Sequence, residues 1–305
     1  MTTTIHTPLD KPVNLPLELA LLGVLALLWG SSYLLTKVAV TEIPPITLIA
    51  ARVTIAAAIL CAVMWAQGAT LPTDAKSWRM LYLQAVFNSI AAWTILAWGQ
   101  RHIDSGLASV LNSTSPIFVF FLTLFVSRHE RLSWLKLAGA LLGLAGVTLI
   151  VGVDVLRGLG QQVAGQLAAL FGAFLYGCAA IYGKRFTHLP AVVTAAGTMV
   201  CASLTLVPLA IVAETPWQHT PSARAIAAAT ALGVFATGLA LLIYFRLVRT
   251  LGSMGVASQS YLRAGIGVLL GICILGEAFS LTVGLGLVAA ILGVAAINLP
   301  ARKGG

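Results

Sequence analysis

The chain repeatedly runs for about twenty residues with scarcely a charge, and a helix of about that length is what crosses a hydrocarbon layer about 30 Å thick. Cutting it at charge clusters and Pro/Gly breaks gives ten such stretches, near 18–38, 46–66, 80–99, 105–126, 134–152, 163–183, 190–213, 224–247, 254–275 and 280–299. The third and fourth are separated only by Gln100 to Asp104, and the last two by a tight turn at Gly276 and Glu277. Charged residues make up 9% of the chain and hydrophobic ones 59%, against about 25% and about 45–50% in soluble domains. A soluble fold would lack the polar groups to cover itself. The 29 glycines and 12 prolines dispersed through the apolar segments fit the same reading, because small residues let membrane helices approach closely. The fold expected is an all-α integral membrane protein of ten transmembrane helices.

The formal charge of +9 does not mark a nucleic-acid binder, since Lys and Arg sit singly or in pairs between apolar blocks and form no basic face. They read as orientation signals. Twelve lie on the side of the N-terminus, among them Lys76, Arg128, Lys184, Arg246 and Arg302, and four lie opposite, Lys37, Arg101, Arg157 and Arg224. Cytoplasmic loops carry the excess, so both termini are expected in the cytoplasm: residues 1–17 as an N-terminal tail, without the layout of a signal peptide, and 300–305 as a C-terminal one. Cys61, Cys178, Cys201 and Cys273 all fall in apolar segments with no CxxC spacing, so neither a metal nor a cofactor is expected.

An internal repeat sets the topology. Glu130, Ser133, Gly139, Gly146 and Val147 recur 147 positions later as Glu277, Ser280, Gly286, Gly293 and Val294, and Gly23, Leu25, Ala26 and Gly30 recur at a spacing of 142 as Gly165, Leu167, Ala168 and Gly172. The repeats span 18–152 and 163–299, five helices each. An odd number makes the second copy enter the bilayer from the opposite side, an inverted arrangement that in secondary transporters places the substrate near the midplane.

Trp29-Gly30-Ser31-Ser32-Tyr33 followed by Lys37, the Pro44-Pro45 turn with Arg52 beyond it, and Pro116 fourteen residues ahead of Glu130 resemble the drug/metabolite transporter superfamily, in its ten-helix form with two EamA domains. In the second copy Arg263 stands where a proline is usual, and Ser260-Tyr261-Leu262-Arg263-Ala264-Gly265 resembles the branch of YddG-type exporters. That resemblance implies export of aromatic and other amino acids and related metabolites across the bacterial inner membrane by alternating access.

The residues themselves supply candidates for the site. A cation at the centre of a span costs about 2.5 kcal/mol or more, which makes Arg263 a functional hypothesis by default. Gln259, Arg263 and Gly267 follow at intervals of four, one stripe on one helix face, and a guanidinium there suits a carboxylate. Ser105, Ala108, Ser109, Asn112 and Pro116 share a face of the fourth span; Trp29, Tyr33 and Lys37 are spaced by fours on the first. Asn88, Trp93, Tyr176 and Tyr244 add polar and aromatic groups at intermediate depth. The substrate-binding set expected is Tyr33, Asn88, Trp93, Asn112, Tyr176, Gln259, Tyr261 and Arg263. Arg52 reads as structural, paired with backbone carbonyls. The fifth and tenth spans, rich in glycine, read as peripheral packing helices and a possible dimer surface, leaving monomer and homodimer open.

All nine carboxylates fall at termini or loops and no span has a central one, which disfavours cationic drugs as cargo and leaves no obvious proton carrier. The partners expected are the bilayer and a small-molecule substrate, amino acids first. A multidrug or nucleoside-type exporter is the alternative within the same class. An intramembrane enzyme would need titratable groups clustered at one depth, whereas the five histidines map to loops or ends. A channel fits inverted repeats less well than alternating access does.

Overall fold

The computed structural model describes residues 14–99, 102–103, 105–126, 134–152, 162–263 and 281–298, with 156, 159 and 266. The described residues are helical throughout, apart from turns. The helices are α1 (Leu15–Val40), α2 (Pro45–Ala66), α3 (Ala75–Ala85), α4 (Ala91–Gly99), α5 (Ser105–Asn112), α6 (Ser115–Val126), α7 (Trp134–Val151), α8 (Val163–Gly183), α9 (Ala191–Glu214), α10 (Ala223–Gly233), α11 (Ala240–Thr250), α12 (Gly252–Ala257) and α13 (Leu281–Asn298). Joined through a π-turn at Val86–Ile90, α3 and α4 form one rod, and α10 and α11 do the same through Val234–Leu239. Seven rods among the described residues are long and apolar enough to cross a membrane, with two shorter apolar helices at Val110–Phe125 and Trp134–Ile150. The distal part of the expected ninth span lies outside the described residues.

Sequence dictates where these helices start. Asn14 caps α1 by accepting from the Leu17 amide, Asp74 caps α3 through the Ser77 amide and Ser222 caps α10 through the Ala225 amide. Pro44 and Pro190 stand just before α2 and α9, where a fixed φ and a missing N–H cost nothing. Two breaks depart from the continuous spans that hydropathy suggests. The fourth span turns at Ser113 and Thr114 between α5 and α6, because Pro116 withholds an amide from the preceding turn, and the ninth turns at Ser258, whose hydroxyl donates to the Gly255 carbonyl.

The packing is that of an inverted pair. Along α7 and α13, an added Cβ on Gly139 would meet the Gly293 carbonyl at 2.9 Å, and one on Gly286 would meet the Gly146 carbonyl at 2.8 Å. The early glycine of each helix faces the late glycine of the other, so the two run antiparallel, and exchanging the repeats maps one contact onto the other. The other contacts follow the same exchange: α1 lies on α10 and α11 as α8 lies on α4, and α2 lies on α9. Ser113 Oγ approaches the Ser260 carbonyl at 3.5 Å, residues 147 apart that meet close to the pseudo-twofold axis. Gly139, Gly146, Gly286 and Gly293 thus make a contact within the chain.

Carboxylates tie the helix ends. Glu18 is buried and holds Arg246 at 2.8 Å and the Thr250 hydroxyl at 2.9 Å, joining the start of α1 to the end of α11. At the opposite face Glu214 accepts from the Ile46 and Thr47 amides at 3.0 and 2.7 Å, and Glu42 accepts from the Ser222 amide and hydroxyl at 2.6 and 2.9 Å. Each places a negative charge at the N-terminus of a helix, α2 and α10, where the peptide dipoles favour it. The outward surface is the reverse of a soluble protein's: Leu167, Phe125, Leu204 and Val212 are exposed, while Ser89, Thr198, Thr237 and Ser253 are buried.

Two outcomes test this packing. Gly146→Leu should lower the thermal midpoint in detergent, since its Cβ would lie 2.5 Å from the Ala290 amide nitrogen and overpacking of this kind costs about 1–3 kcal/mol; Gly23→Ala, with nothing within 4 Å of the new atom, should leave it unchanged. The Ser222 amide and hydroxyl hold the Glu42 carboxyl below its usual range. A group with a depressed folded pKa contributes stability above its unfolded value and loses it as pH falls through the folded one. Acid titration of the thermal midpoint should therefore show a component below the ordinary carboxylate range that is missing in Glu42→Gln.

Candidate substrate pathway

Two chambers lie end to end between the halves. The outer one, so named only for its distance from the N-terminal end of α1, is lined by Ser32 and Thr36 of α1, Ile49 and Arg52 from the first turns of α2, and Trp93, Leu96 and Ala97 of α4, together with Trp29, Tyr176 and Arg263. These side chains come from the ends of their helices that lie away from the N-terminus. The inner one is lined by Ser115, Ala180, Tyr244, Val256, Ala257 and Gln259, together with the same Trp29, Tyr176 and Arg263. Its walls come from the half nearer Glu18. The three shared side chains form a partition at mid-depth. The cavities hold about 50 Å³ on one side and about 20 Å³ on the other, room for water but not for a metabolite until one side widens.

The π-turn between α10 and α11 builds the outer chamber. Its widened hydrogen-bond ladder turns the Ala236 carbonyl inward, where it accepts from Trp29 Nε1 at 3.0 Å and from an Arg52 terminal nitrogen at 3.2 Å. Thr237 Oγ1 donates to the Leu232 carbonyl at 2.8 Å, five residues back, and accepts from Arg52 Nε at 2.6 Å. With the guanidinium carbon 3.9 Å from the Trp93 ring centroid, Arg52 is held from one side by the second repeat and from the other by an aromatic face. The Trp29 ring packs against Tyr244, centroids 5.5 Å apart. Gly30 brings α1 against the backbone of Arg263, whose carbonyl would lie 3.4 Å from an added Cβ. Among the described residues no Asp or Glu lines either chamber and no group of three His, Cys, Asp or Glu is placed to hold a metal ion.

The model of the EamA-like transporter family matches residues 17–152 and, a second time, residues 163–299. The chain belongs to that family. This EamA-like transporter is similar to the uncharacterised inner membrane transporter YedA of Escherichia coli K12, 26% identical over 267 residues that cover 87% of this chain and 85% of that one. The uncharacterised transporter YoaV of Bacillus subtilis is 25% identical over 74% of this chain and 78% of its own length. A probable terminal-alkyne amino-acid exporter of Streptantibioticus cattleyicolor is 27% identical over 122 residues, 40% of each chain. A solved crystal structure shares the fold with a TM-score of 0.79 over 94% of this chain and 99% of that one, at 23% identity.

Of the eight residues singled out by sequence, this EamA-like transporter brings Trp93, Tyr176, Gln259 and Arg263 to the chamber walls. Asn88 and Asn112 are buried beside the π-turn and the α5–α6 break and line neither chamber; the Asn88 amide donates to Ser89 Oγ at 3.2 Å. Tyr261 lines neither chamber. Its ring fills the space over Gly143, its hydroxyl donates to the Ala140 carbonyl at 2.8 Å, and it is fully buried against α7. Residues 261 and 263 sit about 200° apart around a helix, so one cannot share the chamber with the other. Tyr33 belongs to α1, but its side chain, like those of Lys37, Ser105 and Ser109, lies outside the described residues, as does Gly267 of the proposed stripe.

Arg52 is the residue that sequence reasoning undervalued. Its pairing with a carbonyl is as expected, but the same guanidinium also lines the outer chamber. Trp29, Ser32 and Thr36 also share a helix face, at spacings of three and four, next to the face of Trp29, Tyr33 and Lys37.

The clamp on Arg52 has a measurable consequence. Arg52→Lys should fail to restore the thermal stability lost in Arg52→Ala, because an ammonium lacks the planar fork that both bonds Thr237 and Ala236 and stacks on Trp93. Trp29→Phe, losing one neutral hydrogen bond, should cost about 0.5–1.5 kcal/mol, read from unfolding in detergent.

Proposed function

We propose that this membrane transporter exports amino acids, aromatic ones among them, and related small carboxylates across a bacterial inner membrane by alternating access, each chamber opening in turn while the partition stays shut to the other side. The observation that carries the reading is the partition itself: Trp29, Tyr176 and Arg263 border both chambers, so a molecule held there is reachable from either face without a continuous pore. A guanidinium at mid-depth suits a carboxylate, and Trp29, Tyr176 and Tyr244 offer flat faces to an apolar side chain. The similarity to a protein described as a probable amino-acid exporter and the resemblance of residues 260–265 to YddG-type exporters point the same way. The inner-membrane location of YedA and the excess of Lys and Arg beside the N-terminus support an inner membrane with both termini in the cytoplasm.

The test is efflux of labelled amino acids from proteoliposomes. Arg263→Ala should reduce it at least about tenfold, the order expected for losing a hydrogen bond to a charged group, while Tyr261→Phe should lower stability and leave KM unchanged. Unaltered flux in Arg263→Ala would remove the carboxylate site, and preferential efflux of cationic dyes would move the chain to the multidrug branch.

A further inference from the structure

Resting on the amino-acid reading above, we propose that Gln259 is the specificity residue that receives the substrate's α-ammonium, so that the 259–263 turn recognises both ends of an amino acid: Arg263 the carboxylate, Gln259 the ammonium.

Three observations converge on it. Gln259 is 6% exposed and lines the inner chamber, and its amide oxygen is buried without a hydrogen-bond partner. In a protein interior an unsatisfied acceptor is costly and calls for a use. Of the other side-chain oxygens in this state, those of Gln84, Thr94, Thr123 and Asn298 belong to residues that line neither chamber. Second, residues 259–263 are helical, and positions four apart on a helix present their side chains side by side, Cβ atoms about 5–6 Å apart. Two long side chains from that base converge readily on the adjacent charged groups of one α-amino acid.

Third, two strong acceptors that border the Trp29 and Arg52 side chains are already engaged. Ala236 O accepts from both Trp29 and Arg52, which uses its two lone pairs, and Thr237 Oγ1 accepts from Arg52 while donating to Leu232. The described carboxylates are committed at helix ends, Glu18 to Arg246 and Thr250, Glu42 to Ser222, Glu214 to Ile46 and Thr47, and Asp74 to Ser77. An ammonium brought to Arg263 by its own carboxylate finds a neutral amide oxygen instead, which binds the cation without holding a competing negative charge in the hydrocarbon layer.

The experiment uses the full-length transporter in proteoliposomes, with phenylalanine as the transported probe and phenylpyruvate, the same carboxylate and ring without the ammonium, as competitor. Gln259→Leu should raise the KM for phenylalanine at least about tenfold, the order of a hydrogen bond to a charged group, and alter inhibition by phenylpyruvate less than twofold. Gln259→Asn, which keeps a neutral amide oxygen on a side chain one methylene shorter, should raise the phenylalanine KM less than Gln259→Leu does. An unchanged KM in Gln259→Leu, or an equal loss of both molecules, overturns the proposal and makes Gln259 a packing residue. If the wild-type protein moves no phenylalanine, the amino-acid reading itself falls; if it does and Gln259→Leu behaves like wild type, only the role of Gln259 falls.

Discussion

Within hydrocarbon a peptide group released from its helix has no water to turn to, so a break in a spanning helix persists only where the protein itself supplies a partner. The π-turn at Val234–Leu239 meets that constraint with Arg52 and Trp29, side chains of the first repeat, which satisfy a carbonyl of the second. The bond works in both directions. The carbonyl obtains its donors, and the guanidinium obtains the acceptors and the Trp93 face that make a buried charge tolerable. From this exchange follow the position of α1 against α10 and α11, the wall of the outer chamber, and the depth at which Trp29 can close it.

Symmetry explains why there are two chambers and one partition. The π-turns begin at Val86 and Val234, 148 residues apart, and the breaks of the fourth and ninth spans meet where Ser113 faces Ser260. A repeat that enters the bilayer from the other side turns a half-channel on one face into a half-channel on the other, and what lies on the axis between them belongs to both. The side chains differ between the halves, though. The outer chamber holds Arg52 beside Arg263, and the inner one holds Gln259 and Tyr244 beside it. The scaffold is symmetric while the chemistry along the pathway is graded.

Peripheral rigidity supports this centre. The α7–α13 crossing brings backbone against backbone at Gly139, Gly143, Gly146, Gly286 and Gly293, and Tyr261 anchors the turn that carries Gln259 and Arg263 to α7 through the Ala140 carbonyl. Helices that contribute nothing to the chamber walls thus fix the orientation of the residues that do.

Sequence by itself determined the membrane, the helices and the duplication, because hydrocarbon thickness sets a length that apolar runs either reach or do not, and because Gly139, Gly146, Gly286 and Gly293 keep one spacing in both copies. It also placed a cation, Arg263, within the ninth apolar stretch, four residues beyond Gln259. What only the tertiary structure decided was which buried polar groups share a cavity. Helical periodicity places Gln259 and Arg263 on one face and sets Tyr261 apart from them, but it carries no information about which neighbour covers each face. Arg52 was legible as a cation needing carbonyls; that the carbonyl belongs to a π-turn 184 residues away, and that Trp93 lies over the guanidinium, depends on the second repeat folding back antiparallel against the first. Contacts across such an axis join residues far apart in the chain, and no local pattern records them.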